Sequence, residues 1–366
     1  MKETVGIITD KDFEVLNDPP YPRPYFESFE SPLRIKSIMD YFNKTDLFED
    51  GRVKQLPLTD IDDSVIELVH SKYHIQSIKY LSDIGSGDAG ESVFITKDTY
   101  NLAKKAVGAT ISALSSVINN DVNQSFAFIR PPGHHALRDV ASGLCIFNNI
   151  AIAIQYLRKV KKAINKVAIV DIDNHYGDGI AKFFYEDPDI LYFSIHEYDF
   201  DQGELGFIFE VGEGEGLGKN INFPIPPKTT DKYFMELFDI VDPIFSEFKP
   251  ELIVVACGFD GHFTDPIGNC LLTANAYIQF THNILDLAKR LCKGKISFVL
   301  EGGYSQSALP ICSYSMIKTL LGDQVELPFE EKISLPEDPE LKNTVSRVKS
   351  ELINVLKNFW PIVHKL

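Results

Sequence analysis

Five apolar runs, each closed by a cluster of polar residues, constrain this chain more than any other feature. They are Phe126-Ala-Phe-Ile, Val167-Ala-Ile-Val, Ile190-Leu-Tyr-Phe-Ser-Ile, Leu252-Ile-Val-Val-Ala-Cys257 and Ile296-Ser-Phe-Val-Leu300. Helical patterns lie between them, over 96–118, 149–161, 230–248 and 273–291. Strands that are apolar on both faces and alternate with helices belong to a parallel sheet covered on both sides. At 366 residues the chain has room for two ordinary domains. No Pro/Gly/Ser linker divides it and no repeat is visible, so a single α/β domain is expected. The main body should span 1–322. The Pro- and acid-rich stretch that follows leads to a final helix over about 341–360, so that 323–366 form an extension packed on the same domain.

The polar closures carry the next constraint. Arg130-Pro-Pro-Gly-His134-His135 follows the first run, and Asp171-Ile-Asp173-Asn-His175-Tyr-Gly177-Asp178-Gly179 closes the second. Ser194-Ile-His196 ends the third, Gly258-Phe-Asp260-Gly-His262-Phe-Thr-Asp265-Pro266 follows the fourth, and Glu301-Gly-Gly-Tyr304 the fifth. Open α/β sheets bind ligands outside the carboxyl ends of their strands, so five such closures predict one composite site. Alternation along an extended backbone puts Asp171, Asp173 and His175 on one side. Carboxylates at the end of an apolar strand are costly without a partner, and a divalent cation is the partner that suits two anions and an imidazole.

Composition narrows the function. A net charge of −16 argues against a direct grip on nucleic-acid phosphates and suits cationic partners. No apolar run is long enough to span a membrane, and Met1 to Ile8 shows no signal peptide, which makes a cytoplasmic protein the expectation. Cys145, Cys257, Cys270, Cys292 and Cys312 are odd in number and lack a C-x-x-C pair, so reduced buried thiols are expected.

Asp173, His175 and Asp260 give three protein ligands and leave a fourth position open, the pattern of a catalytic zinc. Water activated there is acidic enough to attack a carbonyl near neutral pH. The adjacent His134 and His135 are the candidates to take its proton. Tyr304, after two glycines that permit a tight turn, can aim its hydroxyl at a developing oxyanion. Together these parts specify metal-assisted hydrolysis of an amide or ester.

In these motifs the chain resembles the histone deacetylase and acetylpolyamine amidohydrolase superfamily, whose fold is shared with arginase. The matching text is Arg130-Pro-Pro-Gly-His-His-Ala136, Ser142-Gly-Leu-Cys-Ile-Phe-Asn148-Asn, Asp171 to Gly179, Gly258-Phe-Asp-Gly-His262 with Asp265-Pro266, and Leu300-Glu-Gly-Gly-Tyr304. Glu30-Ser-Pro-Leu-Arg34 looks like the family's early Pro/Arg segment, with Ser28-Phe29 in place of the usual His-Pro. The resemblance spans roughly residues 4 to 322. It implies an eight-stranded parallel sheet between helices, and zinc, with iron as the alternative metal, that removes acetyl or longer acyl groups from amines. By motif, Asp173, His175 and Asp260 correspond to the zinc ligands and His135 to the general base and acid, with His134 as its electrostatic companion. Asp171 and Asp178 correspond to the carboxylates that orient those histidines, and Tyr304 to the carbonyl-polarising tyrosine. A structural potassium ion would use the side chains of Asp171 and Ser194, with backbone carbonyls including those of Asp173, His175 and Ile195.

Three departures from the pattern bear on the substrate. Tyr176 replaces a second histidine after the zinc-ligating one, Leu144 replaces a tunnel-wall phenylalanine, and residues 198–210 lack the usual Phe-Phe-Pro loop, leaving Phe200 or Phe207 as substitutes. Pro19-Pro20 and Tyr25-Phe26 resemble the polyamine branch, so acetylated protein lysine and acetylated polyamine both stand as substrates; oligomeric state is open. A ureohydrolase on the same fold would need a second metal, and a degenerate, non-catalytic acyl-amine binder would lack turnover. Gly212 to Lys219 imitates a phosphate loop, but Glu213 and Glu215 would repel phosphate and the Walker spacing fails, so it reads as a rim loop feeding a strand at Asn220. His196 and His262 read as structural, while His70, His74, His282 and His364 carry no signal.

Overall fold

Every pairing in the main sheet is parallel. The computed structural model describes residues 3–18, 29–331, 333 and 338–365. In chain order its strands are β1 Val5–Ile8, β2 Val53–Gln55, β3 Ser86–Gly90, β4 Val93–Thr96, β5 Gln124–Ala127, β6 Val167–Asp171, β7 Ile190–Glu197, β8 Asn220–Ile225, β9 Leu252–Cys257 and β10 Ile296–Leu300. Eight of them form one sheet in the order β2-β1-β5-β10-β9-β6-β7-β8, while β3 and β4 make a separate antiparallel hairpin. Every residue of β5, β6, β9 and β10 is buried, as continuous apolar sequence requires of strands covered on both faces. The five strands with polar closures, β5-β10-β9-β6-β7, stand side by side. Their carboxyl ends therefore form one edge, and the composite site predicted from sequence has a place to assemble.

The longer helices are α1 Leu33–Lys44, α2 Lys72–Ile84, α3 Thr99–Ile118, α4 Asn149–Gln155, α5 Asp178–Phe184, α6 Phe238–Phe248, α7 Ala274–Cys292, α8 Ala308–Leu320 and α9 Pro339–Leu356. Helix α3 is buried on nearly all sides because small residues let neighbours approach; a Cβ on Gly108 would lie 2.2 Å from the Thr59 carbonyl. None of these helices is long and apolar enough to cross a membrane among the described residues.

Several expected boundaries shift for local reasons. The helix expected from 96 starts at Thr99, because the preceding residues pair as β4 with β3. The helix expected over 230–248 breaks into Asp231–Phe234, a 3-10 turn at Met235–Leu237, and α6. The final helix starts at Pro339, where the Asp338 side chain accepts from the Glu340 and Leu341 N–H groups, and ends at Leu356. Its buried residues Val345, Val348, Leu352 and Leu356 make one apolar stripe. Trp360 continues this anchorage, donating from its indole to the Gly218 carbonyl at 2.8 Å. That contact also corrects the reading of Gly212 to Lys219 as a rim loop: the loop precedes β8, so it lies at the amino end of the strand, away from the carboxyl edge.

Candidate active site

Just past β6, Asp173 and His175 leave the sheet, and Asp260 leaves it three residues past β9. The register pairs Asp171 with Ala256, so the two loops start level with one another. His175 Nδ1 lies 2.9 Å from Asp260 Oδ2 and 3.2 Å from Asp173 Oδ1. One donor atom from each of the three residues falls within 4.8 Å of the others. Both carboxylates are buried. Burial and the neighbouring Asp173 push Asp260 up to about 7, the mark of a pair that resists carrying two charges unaided. A divalent cation would remove that repulsion, and two carboxylate oxygens with an imidazole nitrogen are a fitting donor set for zinc. Glycines keep the space open. A Cβ on Gly258 would come within 2.3 Å of Asp173 Oδ2, and one on Gly302 within 2.5 Å of both Asp173 Oδ2 and Asp260 Oδ2.

The turn after β5 brings two imidazoles against this centre, their ring centroids 4.0 Å apart. His134 Nδ1 faces Asp171 Oδ2 at 3.2 Å, and His135 Nδ1 faces Asp178 Oδ1 at 2.8 Å. Burial alone would depress His134, but Asp173 and Asp171 hold it up at about 10, so it carries its proton at neutral pH. Burial and the adjacent charge of His134 lower His135, which is therefore neutral and basic. Glycine again allows the approach: a Cβ on Gly179 would press on the His134 carbonyl at 2.6 Å.

Tyr304 stands on the turn after β10, where Gly303 takes a φ of 105°. Asp265 Oδ2 seats this turn by accepting from the Tyr304 and Ser305 N–H groups at 2.6 and 3.0 Å. The buried Arg34 guanidinium stacks 4.7 Å from the Tyr304 ring and donates to the carbonyls of Glu301 and Gly303.

One cavity of about 1740 Å³ is lined by His134, His135, Asp173, His175 and Tyr304 together. Leu144, held at a φ of 68°, and Phe200 contribute to its wall, whereas Phe207 packs behind them on Tyr198 and Phe209. Tyr176 also lines it, its ring 4.9 Å from that of His196, with no part in the donor cluster. Glu91, Asp199, Asp201, Glu204 and Glu340 give the cavity an acidic surround. Asp171 and Ser194 pair across β6 and β7, so the residues assigned to potassium are neighbours; the Ser194 hydroxyl meets His196 Nδ1 at 2.8 Å. Pro19-Pro20, Tyr25-Phe26 and Ser28 lie outside the described residues.

Sequence reasoning missed three parts of this arrangement. The Tyr192 hydroxyl donates to Asp171 Oδ2 at 2.9 Å; its only advance signal was one phenol within a buried strand. Arg130 binds both carboxylate oxygens of Glu30, at 2.7 and 2.8 Å, and so anchors the early segment to the histidine turn. The Glu301 carboxylate accepts from the Gly133 and His134 N–H groups at 2.6 and 3.1 Å. Glu301, His134 and Cys145 also bring donor atoms within 4.8 Å of one another. That group is a poor second metal site, because Asp171 and two peptides already engage His134 and Glu301, and burial holds the Cys145 thiol protonated. All five cysteines are free and buried, as expected.

Comparison with known proteins adds an independent view. The sequence model of the histone deacetylase domain matches residues 28–320. A probable deacetylase of Archaeoglobus fulgidus is 35% identical over 307 residues, 83% of this chain and 84% of that protein. A histone deacetylase-like amidohydrolase of Pseudomonas aeruginosa is 34% identical over 306 residues, covering 83% and 79%. The polyamine deacetylase HDAC10 of Danio rerio is 35% identical over 285 residues, 74% of this chain and 41% of that one. Among solved structures, the HDA15 HD domain superposes with a TM-score of 0.86 at 26% identity, over 99% of this chain and 96% of that one.

Proposed function

The chain belongs to the histone deacetylase family, and on that footing we propose that it is a zinc-dependent amidohydrolase that removes an acetyl group from an acylated amine. The observation that carries this reading is the single cavity onto which the donor cluster, the imidazole pair and Tyr304 all open. Asp173, His175 and Asp260 would hold the ion. When bound, it supplies Lewis acidity, polarising the substrate carbonyl and making water acidic near neutral pH.

The rest is the work of the chain's own side chains. With Nδ1 engaged by Asp178, His135 has Nε2 left to take the proton of the attacking water and to return it to the departing amine. Asp178 fixes that tautomer. His134, fixed by Asp171, places a positive charge beside the developing anion. The Tyr304 hydroxyl donates to the carbonyl oxygen as charge builds on it. Asp171 and Ser194, with backbone carbonyls of Asp173, His175 and Ile195, are the proposed seat of a structural potassium ion. The acidic surround of the cavity suits an amine with further positive charge, as both a basic protein segment and a polyamine have.

A panel of acetyl-lysine peptides, longer acyl-lysines and acetylpolyamines tests the reading, run before and after metal removal. Turnover that chelation abolishes and zinc restores is the expected result. Tight binding of an acylated amine without hydrolysis would make the chain a binding protein instead.

A further inference from the structure

The segment after residue 322 runs along the surface, with Pro328, Phe329 and Glu330 all exposed, and then turns one carboxylate inward. The Glu331 side chain is only 3% exposed, and its partner His262 only 1%. Each of its oxygens has a separate donor. Oε1 faces His262 Nε2 at 3.1 Å, and Oε2 accepts the Ala274 N–H of the first turn of α7 at 2.7 Å. His262 Nδ1 accepts from the Thr264 N–H at 3.3 Å, which leaves the ring proton on Nε2, pointed at Glu331. Thr264 in turn shares a hydrogen bond with Ser305 at 2.8 Å, one residue past Tyr304. A continuous path thus runs from the C-terminal extension through the loop of Asp260 and Asp265 to the turn that carries the tyrosine.

We propose that Glu331, beyond the segment matched to the family, is a positioning residue that locks the loop over 259–265 and, through it, the relative placement of Asp260 and Tyr304. The proposal rests on the deacylase reading for its kinetic consequence. Without the carboxylate, two buried donors lose their acceptor: His262 Nε2–H and the Ala274 N–H. The loop that seats Tyr304 through Asp265 then relaxes. Glutamine is a milder change. Its oxygen can keep the Ala274 bond, and its amide can meet His262 once the imidazole changes tautomer and its Nδ1–H donates to the Thr264 hydroxyl, 3.0 Å away, in place of accepting from the Thr264 N–H.

The test compares Glu331→Ala and Glu331→Gln with the unaltered full-length protein, at equal metal content and below the melting transition of each. For Glu331→Ala the turnover number should fall about 10-fold or more, with the Michaelis constant within about twofold. Glu331→Gln should recover most of that loss. In metal-free protein, amide exchange at Asp265 and Tyr304 should accelerate about 10-fold in Glu331→Ala while Val170 in β6 stays protected. Unchanged turnover together with unchanged exchange overturns the proposal, as does exchange that accelerates equally in β6, which would mean plain destabilisation. If the unaltered protein hydrolyses no acylated amine, the deacylase reading fails. The exchange measurement then decides on its own whether Glu331 holds this loop.

Discussion

At the scale of the residue, chemistry at this site depends on which proton sits where. His135 acts as a base only when neutral, and its lowered pKa keeps it so at neutral pH. The rate should therefore rise with pH through a value below the ordinary 6.5 and fall again as pH nears 10, where His134 gives up its charge. Because the charge on His134 helps hold His135 down, His134→Gln should move that acid limb to higher pH, which a pH–rate profile would reveal. Tyr304→Phe removes one donor and keeps the ring on Arg34, so the turnover number should fall by about 10²–10³-fold with little change in substrate affinity. A rise in the Michaelis constant alone would make Tyr304 a binding contact. Asp173 and His175 were legible because strand-end alternation announces them in one line of sequence, and Asp260, His134 and His135 because each closes another apolar run. Tyr192 and Glu301 were not, because each acts on a residue far away in the chain, and no local pattern records which peptide a carboxylate will cap.

At the scale of the element, two histidines given no weight in the sequence prove to be structural pins. His70 Nε2 accepts the Asn148 N–H at 2.9 Å beside the first turn of α4, and His74 on α2 meets the Ile146 carbonyl at 2.8 Å. An imidazole nitrogen that accepts must be unprotonated. Burial and the neighbouring His74 accordingly lower His70 to about 3, and burial lowers His74 as well. The unfolded chain binds those protons near pH 6.5, and the folded one refuses them. Stability is therefore complete above 6.5 and declines as pH falls toward 3, by about 1.4 kcal/mol per pH unit for His70. Denaturant melts at pH 7, 5.5 and 4.5 should show this slope, and His70→Gln should lessen it by about one proton's share, leaving what His74 and the likewise buried His196 contribute. The five polar-closed strands and the helices near α3, α4, α6, α7 and α9 were readable from apolar patterning, whereas α1, α2, α5, α8 and the short strands β2, β3 and β4 were not. The ends of the readable elements were hidden too, because a pairing such as β3 with β4 depends on partners that periodicity does not name.

At the scale of the whole molecule, the site exists because five strands far apart in sequence are neighbours in the sheet. The sequence supplied the polar closures and the parallel sheet. It did not supply the strand order, which packing of the crossover helices decides. One transition-metal ion per chain is expected by elemental analysis, and Asp260→Ala should lose both the ion and turnover, since two ligands do not hold an open site tightly. Two ions per chain would favour a dinuclear ureohydrolase chemistry. The acidic surround adds a salt dependence: the Michaelis constant for a multiply charged acetylated amine should rise with ionic strength more steeply than that for a neutral acetyl amide.

The sheet order also has a consequence for synthesis. The strand β10 lies between β5 and β9, although both are translated well before it. A nascent chain that has released Cys257 carries β5 and β9 with the slot between them unfilled. Only the arrival of Ile296–Leu300, with Gly302 and Tyr304 behind it, brings them together. The proposed donors Asp173, His175 and Asp260 leave the adjacent β6 and β9 and so precede β10 in synthesis, whereas Tyr304 follows it. The side of the cavity that carries the tyrosine is therefore expected to close last, when β10 enters its slot.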